Sequence, residues 1–201
     1  MTACAGDTFE SLAMQKHSLR RQLRKRRQSL TPRQRRWAAR RCTQKALNHP
    51  VLRGASRVGV YLHHGAELAT DGLISALQRR GVQVHVPVAA ARKHMMWVKL
   101  IPHSPLKKGR YGITVPRLKH PRALVSRLQV LVVPLVGVDR SLQRLGAGGG
   151  YYDRLPKHPH RQPRWMGWAY AEQCVPPLPR EPWDRPLNIL ITDRRPQWPT
   201  G

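Results

Sequence analysis

Acidic residues are scarce in this chain of 201 residues, where Asp and Glu number 10 against 37 Lys and Arg, giving a net charge of +27. Between Ser11 and Ala66 no acid occurs, while Lys16, Arg20, Arg21, Arg24, Lys25, Arg26, Arg27, Arg33, Arg35, Arg36, Arg40 and Arg41 crowd the first half of that stretch. Such a balance implies attraction to polyanions, whether nucleic acid, acidic membrane or a small substrate rich in phosphate and carboxylate, and says little about fold. The simpler reading is a set of solvated helical faces, with a nucleic-acid surface on the basic N-terminal helices as the less favoured alternative. Cysteine is rare too. Cys4, Cys42 and Cys174 are far apart and odd in number, which excludes a disulfide framework and a Cys-x-x-Cys zinc half-site and leaves reduced thiols. No apolar run approaches the roughly 20 residues of a membrane helix. Asp7 and Glu10 fall where a secretory leader would be basic, and no apolar segment follows. A cytoplasmic protein without membrane contact is expected. His63-His64 and His158-x-His160 lack the spacing of a zinc helix, so a transition-metal site is not expected.

What is present points to one folded domain, since 40% of the residues are hydrophobic and they come in short clusters broken by Gly and Pro. Residues 1–15 read as a poorly ordered extension and 16–201 as a single domain. Leu12, Leu19 and Leu23 give residues 12–29 a narrow apolar stripe with a basic remainder. Thr31-Pro32 reads as a cap and first-turn proline opening a helix to about Leu47, in which Ala38, Cys42 and Ala46 recur four apart. Val58, Val60 and Leu62 alternate as a strand does; Asp71 to Arg80 is helical; Val82, Val84, Val86 and Val88 form the next strand. Met95 to Ile101, Leu128 to Val138, Trp165 to Tyr170 and Leu187 to Thr192 supply further strands. The second of these is the most apolar run and suits a central position, with Pro134 marking its end or a bulge. The alternation predicts an α/β three-layer sandwich, a mostly parallel central sheet with helices on both faces, whose ligands gather beyond the strand C-termini.

Beyond that central strand stands Arg144-Leu-Gly-Ala-Gly-Gly-Gly-Tyr-Tyr-Asp-Arg154. A backbone so bare lets several N–H groups converge in one concavity, and if Tyr151 to Leu155 open a helix the result is a phosphate nest. Arg144 adds charge-assisted bonding to phosphate, and Asp153 a carboxylate oxygen for magnesium. The string is neither a Walker A loop, having no closing Gly-Lys-Ser/Thr, nor the dinucleotide fingerprint, because Tyr151 occupies the last glycine's place. A tight turn that only lets two backbones pass remains the alternative.

The whole string resembles the signature of the 5-formyltetrahydrofolate cyclo-ligase family. So do Lys16-x-x-Leu19-Arg20 with Thr31-Pro32, Val58 to Thr70, Lys108-Gly-Arg-Tyr-Gly-Ile113, Val133-Pro-Leu-Val-Gly-Val-Asp139 and Leu178-Pro-x-Glu-Pro-Trp-Asp-x-Pro-Leu187, in order over about residues 16 to 193. The resemblance implies an enzyme that closes 5-formyltetrahydrofolate to 5,10-methenyltetrahydrofolate with ATP and Mg2+; a monomer is expected. By the same resemblance Lys16 and Arg20 reach the ATP phosphates, and Arg144, Leu145, Gly146, Ala147, Gly148, Gly149, Gly150, Tyr151 and Tyr152 wrap them. Lys16, Arg144 and Tyr151 are the catalytic candidates. Asp153 and Asp184 hold the metal; Leu62 and Glu67 meet the folate, with Ala147 to Tyr151 at the junction of the two ligands. Arg110 and Tyr111 are lesser candidates. Each has a plain alternative: surface charge for Lys16 and Arg20, a surface acid for Glu67, a turn cap for Asp184 before Pro186. Trp183 is expected in the core. Two departures from the family pattern stand out, Thr114-Val115 between Ile113 and Pro116 in place of Pro-Glu, and Asn188 where an aspartate is common. A basic binder of nucleic acid and a homologue that binds ATP without turnover are the competing functional readings.

Overall fold

The computed structural model describes residues 5–89, 94–109, 114–117, 121–156 and 162–198. Helix α1 (Ala5–Gln28) starts inside the stretch expected to be an extension. Helix α2 (Pro32–Asn48) begins as its sequence dictates: the Thr31 hydroxyl accepts from the Gln34 N–H, and the Gln34 side chain accepts from the Thr31 N–H. A short α3 (Pro50–Arg53) leads into β1 (Arg57–Val60), then α4 (Asp71–Arg79), β2 (Gln83–Ala89) and β3 (Met95–Lys99). The small strands β4 (Leu106–Lys108), β5 (Thr114–Pro116) and β6 (Arg122–Ala123) precede the central β7 (Val130–Pro134). After it come the hairpin β8 (Gly137–Val138) and β9 (Arg144–Leu145), then β10 (Arg164–Ala169) and β11 (Ile189–Thr192). The long apolar run thus makes two strands, because Pro134 has no N–H to extend the ladder.

Seven strands form the main sheet in the order β11-β10-β7-β1-β2-β3-β6. The first five run parallel, and β3 and β6 close one edge antiparallel. The mostly parallel α/β sheet is as expected, and its two faces are covered by different means. Under α2, α3 and α4 lie Val58, Val60, Val84, Val130, Val132, Met166 and Trp168. The opposite face carries Trp97, Leu131, Val133 and Trp165, closed by a 3-10 turn at Val125–Arg127 and by Leu128, Leu155 and Leu187 from irregular segments. Helix α1 joins neither layer. Its Leu19 and Leu23 pack with Val136, Leu145 and Val175, which lays the helix across the ends of the strands beyond β7.

The order of the strands already selects a binding crevice. The chain leaves β1 toward β2 on one side, and leaves β7 toward β10 on the other. Connections that diverge from adjacent parallel strands leave a gap at their C-terminal ends. The loops that flank this gap are 61–70 and 135–153.

One buried polar group gives a pH prediction. His85 on β2 is 4% exposed. Burial foremost, with Lys99 and Arg57 nearby, lowers its pKa, and the Gln83 carbonyl opposes only in part. As pH falls below about 6.5 the unfolded chain takes up a proton that the folded one resists, so stability declines through that window down to the folded value. Urea midpoints should fall with pH there, and His85→Gln should flatten this dependence.

Candidate active site

A cavity of about 410 Å³ occupies the crevice between the β1 and β7 ends. Its walls bring together Leu62 and Glu67 from one loop with Arg144 and Gly146 to Asp153 from the other. Apolar lining comes also from Pro87, Val88 and Met95, residues that the sequence offered only as strand, and from Val115. Val115, at the first of the two departures from the family pattern, is buried on β5 and faces this cavity. Asn188, the other, has its Oδ1 taken by the Trp165 N–H at 2.7 Å.

The glycines earn their place through backbone conformation. Gly148 and Gly150 have φ of 97° and 66°, the left-handed region that side chains disfavour. Ala147, Gly148 and Gly149 are exposed. From above, Arg20 Nε of α1 donates to the Gly146 carbonyl and Arg24 to the Ala147 carbonyl, each at 2.9 Å. With these carbonyls held, no backbone N–H of Gly146 to Gly150 has an acceptor among the described residues. Free amide donors of this kind can serve an anion. The expected helix at Tyr151 to Leu155 is absent; these residues form turns closed by Arg154 N to Gly150 O and Leu155 N to Tyr152 O. Pro156 disfavours helical conformation at Leu155, so the amide nest stands without a helix dipole behind it. For Gly148→Ala there is room, since the added carbon would approach Arg20 only to 3.8 Å, so backbone strain alone decides. The expected result is a loss of about 1–2 kcal/mol in the unfolding free energy and weaker nucleotide binding, measurable by calorimetry.

Arg144 sits below the loop with its side chain 4% exposed, its Nη2 2.6 Å from Asp153 Oδ1. Its guanidinium lies 5.5 Å from the Tyr152 ring centre and 5.8 Å from that of Trp165. Burial pushes the Tyr152 phenol up, with Arg144 opposing and Glu67 adding to the rise, so the two walls sense each other. Glu67 caps its own turn by accepting from the His64 N–H at 3.0 Å.

Lys16, Arg20 and Asp184 lie beside the cavity and are not part of its lining. Lys16 is almost wholly buried, with Nζ 2.5 Å from Glu181 and 2.7 Å from Asp184, so it is no ordinary surface charge. Arg20 is pushed below its ordinary value by burial and by Arg24, against the pull of Glu181, Asp184 and Asp153. Three carboxylates therefore converge electrically on one guanidinium. Glu181 was not among the candidate residues, although it stands in the Glu-Pro-Trp-Asp string that drew attention to Asp184. Leu145 turns the other way, into the cluster under α1, leaving only its backbone toward the loop. Trp183 is 51% exposed, contrary to the core placement expected, because the turn at Glu181 to Asp184 carries it outward. Arg110 and Tyr111 lie outside the described residues.

No group of three or more His, Cys, Asp or Glu side chains suited to a metal occurs among the described residues. Nor is any described helix long and apolar enough to cross a membrane.

Comparison with known proteins agrees with this geometry. The 5-formyltetrahydrofolate cyclo-ligase of Escherichia coli K12 is 37% identical over 174 residues, covering 85% of this chain and 96% of that protein. The protein of the same name from Haemophilus influenzae is 34% identical over 181 residues, covering 88% and 97%. The solved structure of 5,10-methenyltetrahydrofolate synthetase from Aquifex aeolicus superposes with a TM-score of 0.77 at 26% identity, over 90% of each chain. The family model matched over residues 13–193 spans the amide loop, the Lys16 cluster and both cavity walls, and the chain belongs to the 5-formyltetrahydrofolate cyclo-ligase family.

Proposed function

We propose that this protein converts 5-formyltetrahydrofolate to 5,10-methenyltetrahydrofolate, consuming ATP and releasing ADP and phosphate, and that it does so as a cytoplasmic monomer. The observation that carries the reading is the amide loop: unpaired N–H donors line the same cavity as Glu67. A phosphate-binding surface and an acceptor for the N–H groups of a pterin are thereby within one enclosure.

The chemistry asks for positioning more than for a nucleophile. An amide oxygen is a poor leaving group. The formyl oxygen takes the γ-phosphoryl group as the bond to ADP breaks, the neighbouring folate nitrogen adds to the activated carbon and loses its proton, and phosphate departs. On this reading Gly146 to Gly150 hold phosphate oxygens through their N–H groups, with Lys16 and Arg20 supplying positive charge at one edge. Arg144, gripped by Asp153, stacks on Tyr152 and keeps the floor of the loop rigid. Tyr151 closes the junction between nucleotide and folate. Leu62, Val88 and Met95 give the pterin and its linker an apolar wall that excludes water.

The donors suit magnesium of the kind that arrives with a nucleotide. Mg2+ takes one or two carboxylates and completes its shell with phosphate oxygens and water. Asp153 and Asp184 would hold it, and both act on Arg20, which sits at the loop. Bound there, the ion would neutralise charge building on the phosphoryl oxygens. Arg144 engages Oδ1 of Asp153 and Lys16 engages Oδ2 of Asp184, so each carboxylate keeps a second oxygen to offer the ion.

The test is direct. Protein, 5-formyltetrahydrofolate and Mg-ATP should generate the near-ultraviolet absorbance of methenyltetrahydrofolate with one phosphate released per ring closed. A folded protein that binds ATP yet gives no absorbance would show a homologue that has lost turnover.

A further inference from the structure

The ring-closing chemistry explains α1 but leaves the outer face of α2 without a task. On a helix of 3.6 residues per turn, Ala38, Cys42 and Ala46 form the buried stripe. Opposite them, Arg36, Arg40, Arg33, Gln44, Trp37 and Arg41, all exposed, share an arc of about 140° with the half-buried Leu47 and the exposed Asn48. Trp37 keeps 48% of its surface in solvent. None of these four arginines has an ion pair or hydrogen bond among the described residues. Arg35, by contrast, turns back to the Leu30 and Gln28 carbonyls. Beside the arc runs a groove of about 580 Å³ between α2 and α4, to which Arg36, Arg40 and Arg79 contribute.

We propose that this face of α2 binds single-stranded nucleic acid, with Trp37 as the stacking platform and Arg33, Arg36, Arg40 and Arg41 on the phosphates. Charge alone attracts any polyanion, and the indole narrows the class. An exposed aromatic ring set among free guanidiniums matches unpaired bases, whose faces are available for stacking; those of a duplex are already stacked. An acidic membrane is a poorer match. Interfacial helices insert an apolar face, whereas the apolar residues of α2 point into the core and leave one aromatic outside. None of Arg33, Arg36, Trp37, Arg40 and Arg41 lines the cavity described above, although Glu67 borders both that cavity and the groove.

The experiment is fluorescence anisotropy with a labelled oligouridine of about 20 nucleotides over a salt series, folding of every variant being checked by its thermal melt. Four phosphate contacts contribute a slope of about −3 in log affinity against log salt. Replacing Arg33, Arg36, Arg40 and Arg41 by Ser should remove about that much of the slope. Trp37→Ala should weaken binding by about tenfold with the slope unchanged. A matched control, Ser at the exposed Arg53, Arg57, Arg122 and Arg164, should lose far less. Equal losses from the two quadruple variants, or a neutral Trp37→Ala, would overturn the proposal. So would binding of a duplex, of anionic phosphatidylserine vesicles or of polyglutamate as tight as that of the oligouridine.

Discussion

Lys16→Met should lower kcat/KM for ring closure by about a thousandfold and the melting temperature by about 6 °C. Both effects come from one contact. The ammonium is held between Glu181 and Asp184 at 2.5 and 2.7 Å, with its own side chain 7% exposed and theirs 22% and 19%. Methionine keeps the stem and removes the charge, so two carboxylates of like sign are left in a partly buried setting. Breaking such a pair from one side costs about 3–5 kcal/mol when burial is complete; the remaining exposure of the acids reduces this to about 2 kcal/mol. The catalytic loss has a separate cause, the missing positive charge at the edge of the amide loop. Lys16→Arg separates the two effects. It restores the charge and much of the stability, but a planar fork does not fit a site shaped for a point charge, so activity should return only in part. Unchanged turnover in Lys16→Met would remove this residue from the nucleotide site.

Asp153→Ala should suppress turnover by about a hundredfold or more, with an increased magnesium requirement as its signature. The carboxylate is placed for two duties. It fixes Arg144 between Tyr152 and Trp165, and it faces the cavity that the loop encloses. Without it the guanidinium is buried with its Nε already lacking a partner, so the floor of the loop loses its anchor. Asp153→Asn divides the duties, since the amide oxygen still accepts from Arg144 while the negative charge is gone. If the loss is structural, Asn rescues activity. If the charge is needed for the ion, Asn behaves as Ala, and the half-saturating magnesium concentration rises in both.

Much of the fold could be read from period and punctuation. Thr31-Pro32 marked the start of α2 because cap and proline act locally, and the alternating valines marked β1 and β2 because one residue in two must face a core. Pro134 marked the end of β7 for the same local reason. The coverage of the second face was not legible: Leu128, Leu155 and Leu187 come from irregular segments whose closeness depends on tertiary contact. The site divides similarly. Four glycines around Ala147 announced a bare backbone, and Glu67 was found through the family's motif. Glu181 was missed because its role depends on Lys16, which lies 165 positions away. The helix expected after Tyr151 failed because Pro156 follows too soon, and Trp183 because the chain reverses at Asp184.

The clasp made by α1 ties residues 16–24 to segments more than 120 positions further along the chain. Arg20 and Arg24 reach across to positions 146 and 147, and Lys16 to 181 and 184. During synthesis, everything through residue 184 must therefore have left the ribosome before this clasp can close. A protease cut between Arg24 and Gln28, or a bulky fusion crowding that helix, should impair turnover while leaving the sheet untouched.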